Sequence, residues 1–308
     1  MAQKKAHFDG AIKMFNQWRN YEPYNYLNKK LKKMKQIELF NDHFQNFKVY
    51  GIPHAQLIIA DPPYNLGKNA YASNPAWYKD GDNKNGESEL AGKEFFDTDK
   101  DFRPAEFMHF CSQMLVKEPK NGVTDEELEA NEQVGEQPPQ MAGSRQKSKA
   151  PCMVLFCAFE QLHYYIELGE RYGFKHYIPL VFRKNFSAQV LKANMKIVGN
   201  CEYGLVLYKG KLPKFNNDGR MIFNCMDWGR DSDVPKIHPT QKPIPLLRRL
   251  IEIFTDKGDV IIDPCAGSGS ALYAAAQCGR RAYGFEIKKN FYKEANEKML
   301  SRIQMTLF

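Results

Sequence analysis

The stretch "VIIDPCAGSGSALYAAA", Val260 to Ala276, reads as a strand, a glycine-rich turn and a helix of small residues. Val260, Ile261 and Ile262 form a short apolar run of the kind that fills a buried strand, and Asp263 stands at its end. Gly267 and Gly269 then allow close backbone approach, and the first helical turn behind them offers N–H groups with no partner inside the helix. One unit later, "RAYGFEI" reads as the next strand and puts Glu286 at its tip, where a carboxylate can grip the vicinal hydroxyls of a ribose. A dinucleotide site asks for G-x-G-x-x-G, but Leu272 stands three residues beyond Gly269, so a nicotinamide cofactor is disfavoured. A carboxylate at the position of Asp263 suits a cofactor with an amino group and positive charge nearby, a description that fits S-adenosylmethionine.

Outward from this unit the same alternation continues. "IELF", "AQLIIA", "CMVLFCAF", "HYIPLVFRKN" and "CEYGLVLYKG" read as strands. "PAEFMHFCSQMLVKE", "EQLHYYIELGERYG" and "IPLLRRLIEIFT" carry helical spacing, and a charged surface helix is expected from Lys288 to about Arg302. Strands alternating with helices predict an α/β fold with a mostly parallel sheet. The polar stretch 68–103 reads as a long mobile loop, 121–151 as a mobile surface insertion, and 211–236 as irregular. Residues 1–36, rich in lysine and aromatics, read as a basic extension ahead of the main domain at 37–308.

The 308 residues suffice for a substantial core without staples. Seven cysteines, odd in number and with no C-x-x-C pair, point to a reduced, cytoplasmic protein, and no apolar run approaches membrane-spanning length. A formal charge of +8 favours a polyanionic partner such as nucleic acid.

The turn after "AQLIIA" is the chemically unusual one. Asp61-Pro62-Pro63-Tyr64 spends two prolines where loops more often use Gly, Asn or Ser. Each proline fixes φ and removes a donor, so the turn presents acceptors and one aromatic face. It suits something that donates hydrogen bonds and stacks.

Four motifs stand in order: "DPPY" at 61–64, "HPTQKP" at 238–243, "DPCAGSGS" at 263–270 and "FE" at 285–286. Together they resemble the amino-group (N6-adenine and N4-cytosine) DNA methyltransferases in their β arrangement, where the catalytic half precedes the cofactor half. The resemblance runs from about residue 37 to 302 and implies the Rossmann-like S-adenosylmethionine-dependent methyltransferase fold, with a mostly parallel sheet of about seven strands flanked by helices. It divides the domain into a catalytic half at 37–210, a short target-recognition element at about 186–236 and a cofactor half at 237–308.

The resemblance also assigns roles. Asp61, Pro62 and Tyr64 become catalytic: the Asp61 carboxylate and Pro62 carbonyl accept the two amine hydrogens of a flipped-out base, and Tyr64 stacks on it. Asp42, Asp61, His238, Thr240, Gln241, Lys242, Asp263, Cys265, Gly267, Ser268, Gly269 and Glu286 become cofactor residues, with Lys242 balancing the methionine carboxylate. Cys265-Ala266 replaces the usual bulky residue followed by Ala or Gly, and Ser270 replaces the common Thr. Lys68, Arg183, Lys184, Arg220 and Arg230 are expected on DNA, as phosphate or base contacts. Asn216, Asn217, Gln189, Lys192 and Asn194 are further candidates for reading bases. No metal is implied. The aspartate of DPPY favours adenine N6 over cytosine N4, because serine more often opens the cytosine version. A non-catalytic subunit that needs a partner is the rival reading, and the resemblance admits a homodimer and a cognate restriction endonuclease as partners beside DNA.

Overall fold

A computed structural model describes residues 36–64, 102–120, 124, 149–186, 189–192 and 197–303. The extension at 1–35, most of the loop at 68–103 and most of the insertion at 121–151 lie outside the described residues, as do Lys68 and Asn194.

The main sheet has eight strands. In chain order these are β1 (Ile37–Phe40), β2 (Leu57–Ala60), β3 (Cys152–Cys157), β4 (His176–Lys184), β7 (Cys201–Tyr208), β8 (Cys225–Trp228), β9 (Val260–Asp263) and β10 (Arg281–Phe285), while β5 (Gln189–Lys192) and β6 (Ile197–Gly199) form a separate antiparallel pair. The spatial order is β1-β10-β9-β2-β3-β7-β4-β8. All neighbours pair in parallel except β7, which runs against both β3 and β4.

The parallel strands are covered on both faces, as that arrangement requires. Alternation along β2 shows how: Leu57 and Ile59 face one core cluster, Ile58 and Ala60 the other. Helices α1 (Pro104–Met114) and α2 (Leu162–Arg171) supply Phe107, Met108 and Tyr165 to the second cluster. Helices α3 (Ile244–Phe254) and α4 (Ser270–Gln277) supply Leu247, Leu250, Leu272 and Ala275 to the first. Each fully buried aliphatic side chain contributes about 1.5–3 kcal/mol of transfer free energy.

Two readings of the sequence are corrected. The region 211–236 is not wholly irregular: Cys225–Trp228 pairs along β4 and brings the sheet to eight strands. The expected surface helix at 288–302 is broken. Helix α5 (Lys289–Glu294) gives way to a π-helical turn at Ala295–Met299 and a 3-10 turn at Leu300–Ile303. Ala295 and Met299 are buried, and the side chains of Ala295 and Leu300 would lie 3.5 Å from a Cβ on Gly269. The wider π turn thus seats the chain against the glycine-rich turn.

Candidate active site

Because β1, β10, β9 and β2 are parallel neighbours, their ends share one edge of the sheet. Asp42, Glu286, Asp263 and Asp61 each lie at or just beyond such an end, so four carboxylates stand in a row. The open edge beyond the strand ends is where α/β sheets bind ligands.

The glycine-rich turn forms the middle of the row. Gly267 and Gly269 adopt φ of +50° and +73°, a region costly for residues with a Cβ. A Cβ on Gly267 would also meet the His238 ring at 3.4 Å. Glu286 accepts from the backbone N–H groups of Gly267 (2.9 Å) and Lys288 (2.7 Å). Burial nonetheless raises its pKa to about 7. Asp263 accepts from the Cys265 N–H at 3.0 Å. Burial first, and then the carboxylates of Asp61 and Glu286, push it up to about 8 despite that bond. Burial likewise raises the Cys265 thiol. Ser268 is buried, with its hydroxyl 2.6 Å from that of Ser270.

Asp42 stands at the other end and is different in kind. It accepts from Tyr50 Oη (2.7 Å), Asn46 Nδ2 (2.8 Å) and its neighbour's N–H, His43 N (2.7 Å). Those bonds, the Tyr50 bond first, hold its pKa below the usual value. Both of its oxygens serve its own loop.

The segment 238–243 closes the site from above. The His238 ring packs edge-on to Phe291 at 4.5 Å, and its Nδ1 lies 3.0 Å from Thr240 Oγ1. Burial, then Lys242, lowers its pKa to about 4, so the imidazole is neutral near pH 7. Gln241 accepts from Ile237 N–H (2.9 Å) and donates to the Pro235 carbonyl (3.0 Å), tying the loop to itself. Lys242 points to the Asp61–Tyr64 turn rather than outward: its Nζ lies 2.5 Å from Asp61 Oδ2 and 3.3 Å from Glu202 Oε2. The expected balance for a cofactor carboxylate is therefore engaged by side chains of the chain itself.

Asp61 is buried around its carboxylate: Oδ2 takes Lys242, Oδ1 makes no hydrogen bond of good geometry, and the nearby Tyr64 hydroxyl is likewise unsatisfied. Burial raises its pKa, against the opposing pull of Lys242 and, more weakly, of the Tyr64 hydroxyl. Pro62 is buried, and the Tyr64 ring centroid lies 5.8 Å from the Lys242 ammonium. Gln161 fastens this turn, donating to the Tyr64 carbonyl (2.7 Å) and accepting from Ala158 N–H (3.1 Å) at the end of β3. Neither Gln161 nor Glu202 belongs to a motif, and the sequence reading missed both. Glu202 pairs with Lys184 as well as Lys242. Phe156 and Trp228 wall the cluster, 5.1 and 5.4 Å from Lys242 Nζ.

The residues expected on DNA divide. Lys184 turns inward to Glu202, which corrects its reading as a phosphate contact: it shares the strand face of buried Phe182. Arg183 faces out and pairs with Asp227 across the β4–β8 ladder at 2.7 Å, both side chains exposed. Arg230 stacks over Phe186 at 4.5 Å and borders a groove of about 340 Å³ with Phe223, Met226 and Pro245. Arg220 closes an exposed turn with Asn217, whose Oδ1 accepts from Arg249. Asn216 caps the end of α3 through the Thr255 carbonyl (2.9 Å), so its amide is already used.

Comparison with known proteins bears on this arrangement. Residues 148–297 match the N6/N4 methylase family, described as DNA methylase. Those 150 residues (297 − 148 + 1), just under half of the 308, are what this chain shares with that family. It is similar to the type II methyltransferase M2.DpnII of Streptococcus pneumoniae, 37% identical over 95 residues, covering 30% of this chain and 35% of that protein. It is also similar to the DNA adenine methyltransferase YhdJ of Escherichia coli, 35% identical over 92 residues, 29% of this chain and 31% of that one. The chain thus spans about a third of the length of each of these relatives. Among solved structures, a complex of M1.HpyAVI with SAM superposes with a TM-score of 0.54, covering 85% of this chain and 99% of that one. At 16% identity that likeness speaks for the fold alone, the methyltransferase fold expected from the motifs. No helix among the described residues is long and apolar enough to cross a membrane.

Proposed function

We propose that this protein is a DNA methylase that transfers a methyl group from S-adenosylmethionine to the exocyclic N6 amine of adenine in DNA. The observation that carries the reading is the Asp61 carboxylate: one oxygen rests on Lys242, and the other is buried at the sheet edge with no hydrogen bond of good geometry, beside a Tyr64 hydroxyl that is itself unsatisfied. A buried, unpaired acceptor is costly, about 1–3 kcal/mol, unless a ligand supplies its donor.

The residues present fit a cationic cofactor. Asp263 and Glu286 are buried close enough to raise each other's cost of ionisation, and a positive charge between them relieves it. Bound there, S-adenosylmethionine would supply an electrophilic methyl group on a sulfonium. Glu286 would take the ribose hydroxyls, Asp263 the positively charged end, and Gly267 and Gly269 would let the backbone come close. His238 and Thr240 would cover it.

The amine of adenine is a poor nucleophile because its lone pair is delocalised into the ring. Asp61 Oδ1 and the Pro62 carbonyl would accept its two hydrogens and turn the lone pair out of the plane. As the nitrogen gains positive charge, the Asp61 carboxylate stabilises the transition state more than the ground state. The target atom is unreachable within a duplex, so the base must swing out, with Tyr64 as its stacking face. Arg183, Arg220 and Arg230 remain candidates for DNA contacts. The aspartate that opens DPPY favours adenine over cytosine.

The test is methylation of unmodified DNA by the purified protein, followed by nucleoside mass spectrometry. N6-methyladenine is expected, falling by about 10³-fold or more in Asp61→Ala, the scale of a lost transition-state contact. N4-methylcytosine in its place would move the substrate to cytosine. No methylated base from duplex, single-stranded DNA or RNA would sink the reading.

A further inference from the structure

Glu202 is the second residue of β7, at the site edge because that strand runs against its neighbours. Its carboxylate is largely buried and lies between two ammonium groups, Lys184 on one side and Lys242 at 3.3 Å on the other. Lys242 in turn touches Asp61 at 2.5 Å. The order is therefore Asp61, Lys242, Glu202, Lys184, with alternating signs and two charges of each. The rings of Phe156, Trp228 and Tyr64 stand 5.1 to 5.8 Å from Lys242 Nζ, so little water screens these charges.

We infer that Glu202 is a positioning residue that divides the positive charge of Lys242, leaving Asp61 enough negative charge to hold the reacting amine. The inference rests on the methyl-transfer reading above. With one buried carboxylate, Lys242 would spend its whole charge on Asp61, and the pair would present a neutral face to the amine. With two, Lys242 still fixes Asp61 Oδ2 in place, but its charge is shared. Against the cost of burial, Lys242 and then Lys184 keep the added carboxylate ionised.

Charged and titratable groups face this row from every element around it. Tyr64 follows Asp61, Cys157 ends β3, His238 lies on the lysine's own segment and Asp263 ends β9. None of the four is a cation near pH 7, so Lys184 and Lys242 are the positive charges of this cluster.

Substitutions at Glu202 and Lys184 give opposite signs. Glu202→Gln removes an anion that raises the Asp61 pKa, so the acid limb of the rate profile moves to lower pH, by about one unit. The same variant turns over about tenfold more slowly on the plateau, with the KM for cofactor unchanged. Lys184→Met removes a cation, and its acid limb moves to higher pH. A purely structural role lowers activity in both and gives no opposed shift. The experiment is kcat against pH for wild type, Glu202→Gln and Lys184→Met, each checked for a native melt. Titration of the Asp61 carboxyl, followed by carbon NMR of labelled aspartate and assigned with Asp61→Asn, accompanies it. Opposed shifts in rate and in titration are expected; shifts of one sign, or none, overturn the inference. If one variant fails to fold, the sign of the other decides. A wild type that methylates nothing would sink the methyl-transfer reading, while the carboxyl titration would still judge the division of charge.

Discussion

Two pairs of buried carboxylates lie at the same sheet edge and are held in opposite ways. Asp263 and Glu286 are held by backbone N–H groups and have each other's charge for company, so burial prevails and both become hard to ionise. Asp61 and Glu202 are held by lysines, and Lys242 touches both; burial still raises Asp61, while Lys242 and Lys184 hold Glu202 below its usual value against burial. Hydrogen bonds from neutral donors orient a carboxylate but bring no countercharge; an ammonium group does both. The first pair waits for a cation from outside, and the second has its cations built in. The same residue types can thus make a binding cradle or a preset acceptor, depending on what stands opposite.

Charge removal should break this contrast most sharply. Lys242→Met leaves two buried carboxylates without their shared cation and is expected to cost about 3–5 kcal/mol, read as a lower urea midpoint. Asp263→Asn replaces a buried carboxyl that is largely protonated near pH 7 with a neutral amide of similar shape, so the free protein keeps its stability within about 1 kcal/mol, while cofactor affinity drops. Equal losses from the two substitutions would erase the distinction.

The pH dependence of cofactor binding sharpens it next. A cationic ligand binds the ionised carboxylates, which form as pH rises through about 7 for Glu286 and about 8 for Asp263. Affinity should therefore climb between about pH 6 and 8.5, by up to roughly tenfold per unit, with protons released on binding. The free protein runs the other way. A carboxyl whose folded pKa lies above its unfolded one contributes stability that is full below the unfolded value and is lost as pH rises through the folded one. Calorimetry in two buffers of different ionisation enthalpy reads the proton release.

The smallest effect belongs to the outer pair. Arg183 and Asp227 are exposed, so Arg183→Ala should change stability by less than about 1 kcal/mol. If Arg183 touches a phosphate, the same variant lowers the salt dependence of DNA binding by about one ion, seen in a titration against salt.

The motifs made one side of the site legible and left the other half-hidden. Asp263, Gly267, Gly269 and Glu286 sit on a strand, a turn and the next strand, close in sequence, so their spacing alone brings them together. Asp61 was legible because two prolines beside an acid are chemically unusual. Glu202 and Lys184 stand 141 and 123 residues beyond Asp61 (202 − 61 and 184 − 61), and only the sheet order joins them. A signal did exist. Strand alternation puts Lys184 on the face of Phe182 and turns Arg183 away, so two adjacent basic residues could not both reach phosphate. The broken last helix was hidden for another reason: a π turn answers to packing on Gly269, which helical periodicity does not encode.

The reversal of β7 has a consequence for what the chain can tolerate. The β5–β6 hairpin lies between β4 and β7 in sequence yet outside the main sheet. Residues can be added or lost there while Lys184 and Glu202 keep their places, provided Arg183 still faces Cys201. A slip of one residue along β4 would instead turn the whole of β7 over and exchange Glu202 for a neighbour. The hairpin is therefore a place where the expected recognition element can be rebuilt without moving the charged row, and the ladder beneath it is a place where one inserted residue is enough to silence the protein.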